Sequence, residues 1–275
     1  MRADSTGPDG TDTIVLIHGL WVTALSWERW VSRYQARGYR VLAPHWPGVD
    51  AGVGQLRGDP SQITGIGVTE IADHYDRIIR DLGRPPVVIG HCLGGLVAQI
   101  LLDRGLGAAG VSIDPAPARG VVSLPFATLK AASPVPRNPA SRHQAVTLTA
   151  RRFHNALTST FDDQQAAAAY ERYYVPAPRR VIYQVSFASI TRRPATRVDF
   201  TSGNRAPLLL IADGNDRMFP APYTRSASRK YRTSTAVTSY KEFPGRSHLT
   251  TCEPGWEHLA DYALRWAMDN ALNGT

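Results

Sequence analysis

Short apolar stretches recur along the chain, separated by segments whose apolar residues return at helical spacing. Thr13 to Ile17 reads T-I-V-L-I between Asp12 and Gly19, the pattern of a strand buried on both faces. Ser26 stands where a helix cap is expected, with Trp27, Trp30, Val31 and Tyr34 on one face and Gly38 at the end. Arg40 to Pro44 predicts the next strand. Trp46 to Thr69, rich in glycine and polar residues, predicts a long surface loop. A helix is expected from Thr69 to about Leu82, with Ile71, Tyr75, Ile78 and Ile79 aligned. Further strands follow at Val87–Val88–Ile89, within Gly107 to Ile113, at Pro207 to Ala212 and at Ala236 to Phe243. Pro254 to Met268 closes the chain as a helix with Trp256, Leu259, Tyr262, Ala263 and Trp266 at core spacing. Strands alternating with helices predict an α/β protein built on a mostly parallel sheet.

The alternation fails from Pro115 to about Ala206, where prolines punctuate the chain and Leu148 to Tyr174 predicts a pair of helices. The expected division is therefore a disordered tail over 1–12, a core over 13–114 and 207–272, and an insertion over 115–206. No internal repeat and no domain linker is visible.

Length and charge sharpen this only a little. The chain has 275 residues, enough for one large domain with an insertion. Lys and Arg exceed Asp and Glu to give a net charge of +8, and the isoelectric point is about 9.8. That surplus fits either a solvated basic surface or an anionic partner such as coenzyme A or an acyl carrier protein. Nucleic acid is not expected, because no binding motif or interleaved aromatic stripe is present. Nor is a membrane: no apolar run approaches the roughly 20 residues that span a bilayer. Met1 to Asp12 has no apolar core of a signal peptide, and two distant cysteines build no disulfide framework. Both point to a cytoplasmic location.

Chemistry concentrates at Pro86 to Gly95, P-V-V-I-G-H-C-L-G-G. Strand, tight turn and helix follow in the layout of a nucleophile elbow, G-x-Nuc-x-G, with Cys92 where serine is usual. Gly90 and Gly94 fit because neighbouring Cβ atoms would collide in so sharp a turn. Three further motifs share the chain: H-G at His18–Gly19, G-N-D-R-M-F-P at Gly214 to Pro220, and P-G-R-S-H ending at His248. With these motifs in this order, nearly the whole chain resembles the α/β-hydrolase superfamily.

The resemblance implies an α/β-hydrolase fold with a lid or cap formed by the insertion, and a triad of Cys92, His248 and Asp216. It also implies an oxyanion hole from the backbone N–H of Leu93 and of Leu20 or Trp21. Asp114, at a strand end, is the reserve acid, and Asp213 reads as a turn residue. Trp21 and His91 are candidate pocket residues, and His18 reads as structural. Cys252, outside any elbow pattern, reads as a structural thiol. The insertion's arginines, among them Arg151, Arg152, Arg179, Arg180, Arg192, Arg193 and Arg197, suit either the phosphates of a thioester carrier or plain solvation.

A cysteine nucleophile selects substrates by leaving-group chemistry. Thiolate is a good leaving group, so an attacked oxygen ester tends to revert, whereas exchange with a thioester is nearly thermoneutral. The expectation is an acyl-cysteine enzyme acting on a small-molecule acyl substrate, with CoA or a carrier-protein thioester as donor and water or another acceptor as recipient. Carbon–carbon bond formation or decarboxylation on the acyl-cysteine also fits, as in secondary metabolism. An ordinary esterase or lactonase, an engineered replacement of serine, and a non-catalytic binding protein that kept the fold remain open. No cofactor is expected beyond CoA or phosphopantetheine as part of the substrate. No metal is expected either, since H-E-x-x-H and paired-cysteine spacings are missing.

Overall fold

The computed structural model describes residues 11–49, 52–121 and 144–271. Six parallel strands form the central sheet: β1 (Thr13–Ile17), β2 (Arg40–Leu42), β3 (Val87–His91), β4 (Ala109–Ile113), β7 (Leu208–Asp213) and β8 (Thr238–Phe243). Their spatial order is β2-β1-β3-β4-β7-β8. Alternate residues of each strand serve opposite faces. Val15, Ile17 and Val88 join one core with Leu208 and Leu210, while Ile14, Leu16, Val87, Ile89, Leu209 and Ile211 join the other. The inner strands β1, β3, β4 and β7 are buried on both faces, which is why they read as largely apolar runs, whereas the edge strands β2 and β8 are partly exposed and more polar.

Helices cover the two faces. On one lie α1 (Glu28–Gln35) and the last helix, α9 (Trp256–Ala271). There Trp30 Nε1 donates to the Thr251 carbonyl at 3.0 Å and the Tyr34 hydroxyl to the Ala260 carbonyl at 2.7 Å. On the other lie α3 (Val68–Arg80), α4 (Leu93–Asp103) and α8 (Ala221–Lys230). Ser26 does not begin α1: Thr23 caps a preceding 3-10 turn over Ala24–Trp27, and α1 starts at Glu28.

The stretch expected as a surface loop is partly folded. It contains a short helix, α2 (Val53–Gly58), and a 3-10 turn at Ser61–Ile63. Trp46, Val49, Leu56, Ile63 and Ile66 are buried in the core. These apolar residues are too sparse to show a period, yet the segment packs because the insertion lies against it.

Between β4 and β7 the chain leaves the sheet. It forms a two-stranded antiparallel ribbon of β5 (Ala145–Val146) and β6 (Ala177–Pro178) with helices α5 (Ala150–Leu157), α6 (Asp163–Tyr173) and α7 (Arg179–Ser186). Arg57 of α2 holds it down: the guanidinium packs over Tyr170 and Tyr174, donates to the carbonyls of Tyr170 and Tyr174, and pairs with Glu171. Arg180 pairs with Glu70 at 2.6 Å, and the Val68 N–H donates to Gln184 at 2.8 Å. The expected tail lies outside the described residues apart from 11 and 12, as does the 122–143 part of the insertion.

The sheet order reverses between β1 and β3: the chain runs outward from β1 to β2, then returns to the other side. Such a point, at the carboxyl ends of the strands, is where α/β sheets form their sites. Ile17 pairs with Gly90 in register, so the two loops leave side by side. That closeness makes two glycines obligatory. A Cβ on Gly90 would meet the Gly94 carbonyl oxygen at 2.0 Å, and one on Gly94 would meet the Ile17 carbonyl oxygen at 2.0 Å. At Gly110 the obstacle is only the Leu102 side chain, Cδ1 at 2.4 Å.

Gly90→Ala and Gly94→Ala are therefore expected to lose roughly 3 kcal/mol of stability or more, and Gly110→Ala about 1 kcal/mol, because backbone cannot move aside as a leucine can. Chemical denaturation measures the difference. Equal losses at all three positions would contradict the backbone contact.

Candidate active site

Cys92 follows β3 and precedes α4 with φ +56° and ψ −119°. A side-chain-bearing residue rarely holds a positive φ, and such strain persists only where neighbours enforce it. Here the Cys92 N–H donates to the Ile113 carbonyl at 2.9 Å, and its carbonyl accepts from Gly95, Leu96 and Ala116. Leu93 is the first residue of α4, so the helix itself cannot satisfy its N–H. The turn after β1 lies against Cys92: a Cβ placed on Gly19 would sit 2.7 Å from Cys92 Cβ. Trp21 in that turn has φ +62°. Its carbonyl accepts from Val175 at 3.1 Å, and Val22 bridges to Tyr174. The insertion thus holds the turn from above.

His248 arrives on the loop after β8 and is buried. Its Nδ1 donates to Asp216 Oδ2 at 2.7 Å. Asp216 Oδ1 accepts from the N–H groups of Met218 at 2.6 Å and Phe219 at 2.9 Å, so both oxygens of the carboxylate are occupied. Buried Nε2 has no partner of full hydrogen-bond geometry, yet Cys92 interacts with the ring. Such looseness is usual between a nucleophile and its base without substrate. Burial alone would depress the imidazole. The charge of Asp216, the influence of Cys92 and hydrogen bonding to both overcome it and raise His248 to about 10.

The three expected triad residues therefore meet in one buried cluster, at the carboxyl ends of β3, β7 and β8. Leu20 and Trp21 lie in the adjoining turn. His91 is buried below: its Nε2–H donates to the His248 carbonyl at 2.6 Å, and the two rings are 4.9 Å apart. Burial, then the charge of His248, push His91 well below its ordinary range, so it is neutral. His91 supports the imidazole loop from beneath. His18 stacks on Trp46 at 4.4 Å and accepts from the Trp46 N–H at 3.4 Å; burial lowers it to about 3. The Cys252 thiol donates to the Ser26 carbonyl at 3.4 Å, and burial pushes it up to about 11.

Two features were not foreseen. Asp213 is no turn residue: it ends β7, fully buried beside Asp114. Its place at the end of an unbroken apolar strand was the available signal. Glu253 anchors the His248 loop, accepting from the Ser247 N–H at 2.9 Å and from the Thr160 hydroxyl at 2.6 Å. The Leu249 N–H donates to the Leu157 carbonyl of the insertion at 2.7 Å. Nothing in the sequence pattern marked these contacts. An oxygen of Asp114 and one nitrogen each of His91 and His248 lie within 4.8 Å of one another, a spacing a metal ion would accept. One nitrogen on each ring is already committed to a hydrogen bond.

A family model described as the alpha/beta hydrolase family matches residues 14–257. No curated protein matches. Among solved structures, a monoacylglycerol lipase of Paleococcus ferrophilus superposes with a TM-score of 0.65 at 19% identity, covering 94% of each chain. An esterase from Thermogutta terrifontis superposes at 0.66 with 18% identity, over 97% of this chain and 91% of that one. Tomato methylketone synthase I, complexed with 2-tridecanone, gives 0.68 with 15% identity over 95% and 99%. At such identities the likeness is one of fold. Among the described residues no helix is long and apolar enough to cross a membrane.

His248 gives the site a pH signature. Its folded value of about 10 lies above the ordinary 6.5. The stability it contributes is therefore complete below pH 6.5 and lost as pH rises through about 10. The melting temperature of the wild type relative to His248→Gln is expected to fall across that window. A difference that stays flat from pH 6 to pH 10 would contradict the ion pair.

Proposed function

The chain belongs to the alpha/beta hydrolase family, and within it we propose an acyl-transfer enzyme that works through a covalent acyl-cysteine at Cys92. The observation that carries the reading is a cysteine, not a serine, at φ +56° on the elbow, with a hydrogen-bonded imidazole and carboxylate behind it. The donor is an acyl thioester of CoA or of a carrier protein, and the acceptor is water or a second small nucleophile.

His248 already holds the proton drawn from Cys92 before substrate arrives, and Asp216 holds the ring's orientation and stabilises the imidazolium. The Cys92 sulfur attacks the acyl carbonyl, and the carbonyl oxygen becomes an oxyanion. The N–H of Leu93 and an N–H of the Leu20–Trp21 turn receive that charge; one such donor is worth about 3 kcal/mol of barrier. Collapse breaks the carbon–sulfur bond of the donor, and its thiolate leaves with the proton from His248. His248 next deprotonates the acceptor, which attacks the acyl-cysteine. The tetrahedral intermediate collapses, the acyl product leaves, and the Cys92 sulfur is freed beside the imidazolium that the acceptor's proton restored.

The basic surface supports a phosphate-bearing donor in part. Arg179 and Arg180 are committed to Gln144 and Glu70. Arg151, Arg152, Arg192, Arg193 and Arg197 stay exposed and suit the phosphates of CoA or phosphopantetheine.

The test is intact-mass analysis after incubation with an acyl thioester and its matched oxygen ester. The expected result is one acyl adduct on Cys92 from the thioester, absent in Cys92→Ala, with turnover falling on the order of 10³–10⁴-fold in Asp216→Asn. Cys92→Ser is expected to shift the preference towards the oxygen ester. Full activity in Cys92→Ala with no adduct in the wild type would discard the covalent route. Equal turnover of both esters through Cys92 would favour an ordinary esterase.

A further inference from the structure

Behind the imidazole lie two further carboxyl groups that the mechanism above does not use. Asp114 follows β4 in a left-handed conformation, φ +43°, and is fully buried. Its N–H donates to the Ile211 carbonyl of β7 at 2.9 Å. Its Oδ1 accepts from the N–H of Asp213, the last residue of β7, at 2.8 Å. The other oxygen of Asp114 and both carboxylate oxygens of Asp213 are buried with no donor of full hydrogen-bond geometry on them. The side chains are close enough to hydrogen-bond to each other. Oxygen atoms alone cannot satisfy one another, and two ionised carboxylates in contact out of water would repel strongly. A single proton between them serves two of these three oxygens, and the Thr250 hydroxyl lies near Asp213 for the other.

We propose that Asp114 keeps its proton and donates it to Asp213, and that this acid pair is the clamp that positions Asp216. Asp213 is the root of the turn that carries the triad acid. Its carbonyl accepts from the Asp216 N–H at 3.2 Å, and the Asn215 N–H donates to the Arg246 carbonyl at 2.9 Å. With Asp114 holding Asp213 by both its N–H and its carboxylate, β4 and β7 are tied together directly beneath the turn. Asp114 is thus a positioning residue, acting on His248 through Asp216. The arrangement explains why the strained backbone at Asp114 is kept.

The charged surroundings agree. Asp114 faces Asp213, Asp216 and the rings of His91 and His248. Asp213 faces Asp114, Asp216 and Arg246, with the Thr250 hydroxyl nearby. Burial, then the charges of Asp213 and Asp216, hold Asp114 well above the usual carboxylate range. Burial lifts Asp213 as well, and the hydrogen bond from Asp114 opposes that rise by favouring the ionised carboxylate. A neutral Asp114 also leaves Asp216 as the imidazole's anionic partner in the triad. The inference rests on reading His248 and Asp216 as the working base and acid.

Two measurements on the full chain decide it. The first is the melting temperature of the wild type and Asp114→Asn from pH 5 to pH 9. An acid whose folded value is raised contributes stability at low pH that is lost as pH rises through that value. Asparagine donates and accepts in the same places and has no proton to lose. Asp114→Asn is therefore expected to gain on the wild type steadily as pH rises. A difference independent of pH would mean that Asp114 is already ionised at pH 5, and would overturn the proposal. The second is the rate of Cys92 alkylation by iodoacetamide at pH 7, located by peptide mass. Asp114→Asn is expected to keep the rate within about threefold, and Asp114→Ala to slow it at least tenfold. Asp114→Ala at the wild-type rate, or Asp114→Asn as slow as Asp114→Ala, would overturn it. Should Asp114→Ala not fold, the asparagine series decides alone. His248→Ala is the control: if it leaves alkylation unchanged, the triad reading has failed and the melting series still tests the acid pair.

Discussion

The structure depends on one backbone conformation, the left-handed turn at Cys92. A non-glycine residue at φ +56° costs on the order of 1–3 kcal/mol, and close packing offsets it. The turn is braced by the hydrogen bond from Cys92 to the end of β4 and by the start of α4 behind it. It fits only because β1 and β3 run in parallel register and Gly90 and Gly94 let backbone touch backbone. Remove any of these and the sulfur no longer stands at the gap where the sheet order reverses. Much of the remaining architecture delivers partners to that point. The apolar strands set the sheet, the sheet sets where its carboxyl ends lie, and those ends carry Trp21, Cys92, Asp114, Asp213 and, by a further loop, His248.

A dry site of this kind must settle its charges internally. Around the imidazole lie three aspartates, a second histidine and a thiol, all buried. Asp216 stays fully hydrogen-bonded and pairs with His248. His91 is held neutral, its one N–H spent on the His248 backbone. Asp114 and Asp213 share what neither can hold as two bare charges. Each group has a distinct protonation role set by its partners, which is how a single low-dielectric cluster contains both a base and its supporting acids. The insertion closes the arrangement from above, bonding to the turn at Trp21 and to the loop after His248, so it shapes the site as well as covering it.

The sheet and the elbow were legible because their signals are local. T-I-V-L-I and P-L-L-L-I-A, short apolar runs between turn residues, read as strands buried on both faces, and the glycines around Cys92 mark a close backbone approach. The order of Cys92, Asp216 and His248 named residues that the fold then brought together. Long-range contacts carried no such mark. Leu56, Ile63 and Ile66 gave no period, and the segment that carries them is tied to the insertion, more than 100 residues away, whose Tyr174 carbonyl receives Arg57. Glu253 stands in no motif, and only the folded loop shows it gripping Ser247. Asp213 sat at the end of an apolar run, and its partner Asp114 is 99 residues earlier. Local propensity cannot report which strand ends become neighbours; sheet order does.

At the heart of the site the His248 imidazole is gripped by Asp216 and feels the sulfur of Cys92. The most direct test of that grip is a titration of the His248 ring by nuclear magnetic resonance in the wild type and in Cys92→Ala. The expected result is a ring that stays protonated through neutral pH, titrates near 10 in the wild type, and shifts to lower pH when the thiol is removed. A ring that titrates near its ordinary 6.5 and ignores the loss of Cys92 would contradict it.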